Sequence, residues 1–261
     1  MKSTALVTGA SSGIGKDLCH IHAEKGGDLV VIARREEKLN KLKQTLETEY
    51  GIEVKVMPGD LTGNNICEQI FEELNEEGIQ VDYLINNAGF GGHGYFYEQD
   101  PEFQQKMIDL NIKALTKLSR LFLPGMVERN RGRILQVAST AGLVPGPLQA
   151  VYFATKSYVL SLSQAMAEEV SDTDVTVTAL CPGATETEFI ERADLQNTQM
   201  IESGMESSRS VAEKGYRAMQ KGKLIEITDF KLKVTLDWAV PLLPRKMVLK
   251  SARKTQEKLR N

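Results

Sequence analysis

A doubly wound parallel sheet with helices on both faces, an α/β fold, is what this sequence predicts, and three observations carry the prediction. Short apolar runs rich in β-formers alternate with longer amphipathic segments. The runs read as parallel strands buried in a sheet. A glycine-rich turn follows the first run directly and opens the first helical segment.

The first strand is expected over 4–8, where Ala5, Leu6 and Val7 sit between threonines, and a helix over 13–26 comes after it, closed by Gly26-Gly27. The Leu29-Val30-Val31-Ile32-Ala33 run predicts a strand over 29–33, ahead of a charged helix over 35–50. A strand over 54–57 and a helix over 62–77 come next, then a strand over 83–86. Pro101, tolerated in a first turn, opens a long helix over 101–129. Strands over 133–138 and 175–180 flank a helix over 151–170. No linker, repeat or low-complexity stretch divides the chain, so residues 1–229 are expected to form one domain. Within it, 188–210 is polar and dotted with methionine, Gly204 and Ser207-Ser208, the texture of a mobile flap. Residues 230–261, containing Pro241 and Pro244, are expected to be a basic helical extension of the same domain.

Composition excludes several classes. The 261 residues are 41% hydrophobic and 26% charged, enough for a sizeable core and unlike a disordered chain. A net charge of −3 gives no global reason to expect nucleic acid. No apolar run approaches the ~20 residues of a membrane span; the stretch 236–244 is broken by Asp237 and Pro241. A first strand beginning near Ser3 argues against a signal peptide, and three scattered cysteines argue against a disulfide framework or a zinc site. The expected location is the cytoplasm.

The first strand–helix turn reads Thr8-Gly9-Ala10-Ser11-Ser12-Gly13-Ile14-Gly15. Glycines there let the backbone approach a pyrophosphate, and the helix N-terminus offers unbonded N–H groups, so the turn points to a single-domain Rossmann fold that binds a dinucleotide. A glycine-rich surface turn is the plainer alternative. The second strand runs into Arg34-Arg35 with no acid at its end. An acid would accept from a ribose 2′-hydroxyl, whereas an arginine attracts a 2′-phosphate, so NADP(H) is favoured, unless the arginines are simply solvated at a helix start. Tyr152 and Lys156 are four apart and share one helix face, and Ser139 lies at the end of the fifth strand, where α/β sites open. An ammonium beside a tyrosine favours phenolate and lowers a pKa that is ~10 unperturbed. Taken alone, such a pair is more often packing.

Taken together, the Thr8–Gly15 turn, Asp60-Leu61, Asn86-Asn87-Ala88-Gly89, Asn111, Ser139, Tyr152-Phe153-Ala154-Thr155-Lys156 and Pro182-Gly183 resemble a short-chain dehydrogenase/reductase over about residues 3–230. The resemblance implies a catalytic set of Asn111, Ser139, Tyr152 and Lys156. Tyr152 would act as general acid in reduction, Lys156 would lower its pKa and bind the nicotinamide ribose, and Ser139 would polarise the carbonyl. Asn111 would kink the fourth helix and hold a water of the proton relay. It also implies cofactor contacts from Gly9, Ser11, Ser12, Gly13, Ile14, Gly15 and Arg34, from Asp60 and Leu61 at the adenine, and from Asn87, Ala88 and Gly89 at the ribose. Pro182, Gly183, Thr185 and Thr187 would lie along the nicotinamide. A homodimer or homotetramer packed through 101–129 and 151–170 goes with it. The basic C-terminus departs from the acyl-carrier-protein reductase pattern and is similar to steroid-dehydrogenase-like and long-chain 3-ketoacyl-type members.

The function expected is an NADPH-dependent oxidoreductase moving hydride between nicotinamide and the carbonyl or secondary alcohol of a small or lipid-like substrate, with no metal. The alternative is a regulator that binds NADP(H) without turnover. His20 and His22, two apart, do not share a helix face and lack a third ligand. His93 falls in a glycine-rich loop expected to border the substrate, beside Phe90, Tyr95 and Phe96. The tail holds nine Lys/Arg against two Asp/Glu, a net of +7, and the preceding 229 residues carry −10. That tail is expected either to cover the pocket or a partner subunit, or to touch an anionic membrane through basic residues flanking apolar anchors.

Overall fold

The computed structural model describes residues 2–202 and 204–258. In chain order it runs β1 (Thr4–Thr8), α1 (Gly13–Ala23), β2 (Asp28–Ala33), α2 (Glu36–Tyr50), β3 (Val54–Pro58), α3 (Ile66–Glu76) and β4 (Tyr83–Asn86). Then come α4 (Pro101–Ile108), a π-helical turn (Asp109–Ala114), α5 (Leu115–Glu128), β5 (Gly132–Val137), a 3-10 turn (Thr140–Leu143), α6 (Ala150–Glu169) and β6 (Val175–Cys181). The C-terminal part holds β7 (Thr185–Glu186), α7 (Phe189–Arg192), α8 (Gln199–Glu202), β8 (Glu206–Ser207), α9 (Ser208–Gln220), β9 (Ile225–Ile227), α10 (Phe230–Val234) and α11 (Arg245–Gln256).

Seven strands form one parallel sheet in the order β3-β2-β1-β4-β5-β6-β9. Successive residues of β1 serve opposite faces. Ala5 and Val7 pack with Leu18, Leu39, Val211 and Met219 under α1, α2 and α9, while Leu6 packs with Ile70, Leu118 and Met166 under α3, α5 and α6. Burial on both faces explains why β1 and β2 read as continuous apolar runs. The strand order reverses between β1 and β4, and that switch point is where α/β sheets bind ligands.

The six expected strands are all present. Pro101 does open α4, capped by the Asp100 carboxylate on the Glu102 N–H at 3.0 Å. The long fourth helix is interrupted by the π turn at Asn111. The expected flap has more structure than its polar texture indicated. Thr185–Glu186 pairs with Glu206–Ser207 in a parallel ribbon, and the expected flap's last residues already belong to α9, whose Val211, Ala212, Tyr216 and Met219 enter the core. The seventh strand, β9, is one that the apolar pattern did not predict. No helix among the described residues is long and apolar enough to cross a membrane.

Candidate functional site

The turn between β1 and α1 is held from two sides. Gly9 has φ +69, and a Cβ there would lie 2.7 Å from the Asn87 amide nitrogen. That amide donates to the carbonyls of Thr8 and Gly9 at 2.9 and 3.3 Å, while the Thr8 hydroxyl accepts from the N–H groups of Asn87 and Ala88 at 2.9 and 3.0 Å. The ends of β1 and β4 are thereby laced across the switch point. Ser12 precedes α1 without capping it through its side chain, so the helix N-terminus is open to an anion at the cavity. Gly9, Ser11, Ser12, Gly13 and Ile14 line that cavity. Gly15 does not; a Cβ on it would strike the Gly9 oxygen and the Asn87 amide, so its role is packing behind the turn.

At the end of β2 the two arginines differ. Arg34 is 70% exposed and its guanidinium stands 4.0 Å from Asp60, whose carboxylate also accepts from the N–H and hydroxyl of Thr62. Arg35 instead donates to Ser11 Oγ at 2.9 Å, to Ser12 Oγ at 2.8 Å and to Glu188 at 2.7 Å. Lys38 and Arg192 converge on the same carboxylate, at 2.8 and 2.5 Å. The hydrogen bond from Lys38, together with the guanidinium of Arg35, pulls the Glu188 pKa down to about 2. Arg35 and Glu188 were not among the expected site residues. Arg35 was readable as one of a pair, whereas Glu188 had no signal because its partners Arg35 and Lys38 lie 153 and 150 residues away.

Ser139, Tyr152 and Lys156 come together at the other end of the same cavity. Ser139 caps the 3-10 turn, accepting from the Ala141 N–H at 3.1 Å. Tyr152 and Lys156 are buried on one face of α6, with the Lys156 ammonium 5.8 Å from the phenol ring centre and donating to the Val137 carbonyl at 2.7 Å. Burial sets both pKa values: it lowers Lys156 to about 8 and raises Tyr152 to about 12, against a hydrogen bond with Ser139 that pulls Tyr152 down. In the protein alone desolvation of the phenol sets the direction, upward, where the ammonium of Lys156 was expected to lower it.

Asn111 does not reach the cavity wall. Its amide donates to Phe90 O and Thr155 Oγ1 at 2.9 and 3.1 Å, and its oxygen accepts from the Phe90 N–H at 3.1 Å. The side chain clamps the loop after β4 onto α6.

The cavity is about 1350 Å³, larger than the ~300–1,000 Å³ typical of a single small-molecule pocket. Asp60, Leu61, Asn87, Ala88, Gly89, Pro182, Gly183, Thr185 and Thr187 all line it, together with Arg34. Phe90, Phe103, Phe153 and Phe189 make an apolar wall around Tyr152. The C-terminal extension supplies the remaining side through Leu232, Leu236, Val240 and Val248. It is tied down by the Gln256 carbonyl, which accepts from His93 Nε2 at 2.7 Å, and by a short contact between the Gln149 and Gln256 amides. His93 thus holds the tail, and the tail covers the pocket. His22 is buried against the Tyr216 hydroxyl and the Ser3 carbonyl, at 2.9 and 3.1 Å. Its role is structural.

The model of the family described as short chain dehydrogenase matches residues 3–198, three-quarters of the sequence. The chain belongs to the short-chain dehydrogenase family. This short-chain dehydrogenase is similar to an uncharacterized oxidoreductase, YvaG, of Bacillus subtilis (strain 168), 38% identical over 72% of this chain and 70% of that one. It is 32% identical to the very-long-chain 3-oxoacyl-CoA reductase of Mus musculus over 68% of this chain, an alignment that spans 58% of the mouse protein. A short-chain dehydrogenase from Sphingobium yanoikuyae, solved in complex with NADPH, superposes with a TM-score of 0.84 at 30% identity over 98% of both chains. A member from Burkholderia phymatum solved with NAD shares the fold, with a TM-score of 0.83 at 22% identity over 100% of this chain and 98% of that one. The family match ends at residue 198, yet the Sphingobium structure also covers most of the C-terminal part beyond it.

Proposed function

We propose that this short-chain dehydrogenase is an NADP(H)-dependent enzyme that reduces the carbonyl, or oxidises the secondary alcohol, of an apolar, lipid-like substrate. One observation carries the reading: Ser139, Tyr152 and Lys156 stand in the same cavity as the open N-terminus of α1 and the Arg34-Arg35 pair. The residues fit a nicotinamide dinucleotide. Gly9 and Gly13 line the cavity at φ +69 and +54, where a side chain would be strained, and the N–H groups of α1 offer a diphosphate site. Arg34 and Arg35 favour a 2′-phosphate, with Asp60 and Leu61 at the adenine and Asn87 to Gly89 at the ribose. The NADPH and NAD bound by the two relatives agree with the cofactor class.

The bound cofactor supplies or accepts the hydride. The protein's part is the oxygen and its proton. Ser139 donates a hydrogen bond to the carbonyl oxygen, polarising it. Tyr152, held protonated by its burial, delivers the proton as the oxygen gains charge. Lys156, still mostly cationic at neutral pH, stabilises the phenolate left behind. The phenylalanine wall and the apolar tail select a substrate with a large hydrocarbon part. Pairing of copies through the α5 and α6 faces goes with the reading, since Val127 and Tyr158 stay exposed there. So does a cytoplasmic location, with Cys19, Cys67 and Cys181 all buried.

Loss of NADPH absorbance over a panel of aldehydes, ketones, steroids and 3-oxoacyl thioesters tests the proposal. Tyr152→Phe is expected to abolish turnover while NADPH still binds. Near-wild-type turnover in that variant refutes the mechanism, and NADPH binding with no turnover on any of the panel favours a regulator.

A further inference from the structure

The extension after residue 229 has two apolar stripes. Leu232, Leu236 and Val240, spaced four apart, face the cavity. Phe230, Val234, Trp238 and Leu242, also four apart, are 76, 46, 75 and 85% exposed. A surface helix ordinarily buries one apolar stripe and turns polar residues to water. Here the outer stripe is apolar too, and nothing among the described residues covers it. The same tail is basic: Lys246, Lys250 and Lys254 are exposed at four-residue spacing along α11, and they, Lys231 and Arg245 make no ion pair among the described residues.

We propose that this face docks on an anionic phospholipid surface, which places the cavity's tail-covered side against the bilayer and lets an apolar substrate enter from lipid. Exposed aromatic and long apolar side chains in a basic segment match an interface with hydrocarbon below and anionic headgroups around it. The charge distribution orients the approach. Residues 1–229 carry −10 and the tail +7, so an anionic surface attracts the tail and repels the body. A second copy of the chain is a poorer occupant, because a two-fold contact would set the lysine rows of two tails against each other. Substrate entry from lipid rests on the proposed reductase activity; the docking does not.

Trp238 is the only tryptophan in the chain, so its emission reports the outer stripe directly. Full-length protein is mixed with vesicles of phosphatidylcholine, alone or with about one-third phosphatidylserine. A blue shift and co-sedimentation are expected with the anionic vesicles only, weakened about tenfold or more as salt rises from about 0.1 to about 1 M. Leu242→Asp should abolish the shift, and Lys246→Gln with Lys250→Gln and Lys254→Gln should weaken binding by at least about tenfold. NADPH titration and circular dichroism check that these variants are folded. Absence of a shift, or equal binding to neutral vesicles, overturns the proposal. So does concentration-dependent self-association that Leu242→Asp abolishes, which makes the stripe a protein interface. Vesicle binding is read without turnover, so its failure leaves the reductase reading untouched.

Discussion

The guanidinium of Arg35 meets the carboxylate of Glu188 at 2.7 Å, joining the start of α2 to the segment that lays Phe189 against Tyr152, ring centres 5.3 Å apart. With Lys38 and Arg192 on the same carboxylate, three cations gather round one anion beside Ser11 and Ser12. That is where a 2′-phosphate would lie in the proposed cofactor site, so Glu188 competes with it for Arg35. Glu188→Gln is expected to tighten NADPH about threefold to tenfold and leave NADH within about twofold, read as Kd by fluorescence titration. An unchanged NADPH Kd would place the carboxylate outside the phosphate's reach.

The two arginines separate by their existing bonds. Arg34 pairs with the exposed Asp60 and, among the described residues, makes no hydrogen bond to the turn, so Arg34→Asp should lower the preference for NADPH over NADH by about tenfold or more without loosening the turn. Arg35 holds both serines of the glycine-rich turn, so Arg35→Ala should weaken both cofactors. Steady-state kinetics with each cofactor decides. Equal losses for both cofactors in Arg34→Asp would remove Arg34 from the phosphate site.

Lys156 makes the folded protein sensitive to alkali in an unusual direction. Burial lowers its folded pKa to about 8, below the unfolded lysine value of 10.5, so unfolding takes up a proton between those pH values. The cost of keeping a buried ammonium is fully present below about pH 8 and is relieved as pH rises towards 10.5. Relative to Lys156→Met, the wild type should gain about 2 kcal/mol between pH 7 and 10, measured by urea unfolding at both. Parallel stability curves would mean that the ammonium is solvated.

How much of this was legible in the sequence depended on range. The six strands announced themselves through short runs of buried apolar residues, continuous in β1 and β2 and interrupted in β3, β5 and β6 by Lys55, Gln136 and the pair Thr176 and Thr178. The glycine-rich turn, Ser139, Tyr152 and Lys156 were legible because each is a local pattern of a few residues. β9 was not: three residues, Ile225–Ile227, with Glu226 between them, read as loop, and the strand exists through its pairing with β6. α9 hid behind a serine-rich start, although its buried face is regular. Glu188 over Arg35 and Gln256 over His93 are contacts across 153 and 163 residues, and no local pattern encodes them.

His22 supplies an acid-side prediction. Burial lowers its pKa below the ordinary 6.5, against a hydrogen bond to the Ser3 carbonyl that raises it. The unfolded chain then binds a proton that the folded protein does not, so the contribution is present above about pH 6.5 and is lost as pH falls below it. Wild type should lose stability more steeply than His22→Gln between pH 7 and 5, measured by chemical denaturation. Equal slopes would show that other groups govern acid unfolding.

The tail's attachment at His93 predicts how the pocket opens. Gln256 is buried, and its carbonyl accepts from His93 at 2.7 Å, so removing the imidazole leaves a buried acceptor without that partner. The loss of about 1 kcal/mol should fall on the local opening of α11, because the sheet and the Ser139–Tyr152–Lys156 group do not depend on it. His93→Ala is therefore expected to lower amide-exchange protection across 245–256 about fivefold while protection in β1 to β6 stays unchanged. If the tail walls the substrate site, KM for large apolar substrates should rise in the same variant and kcat for small ones should not. Unchanged exchange in α11 would show that the tail's other attachments, Gln256 to Gln149, Arg253 to Tyr95 and Lys258 to Asp194, hold it without His93.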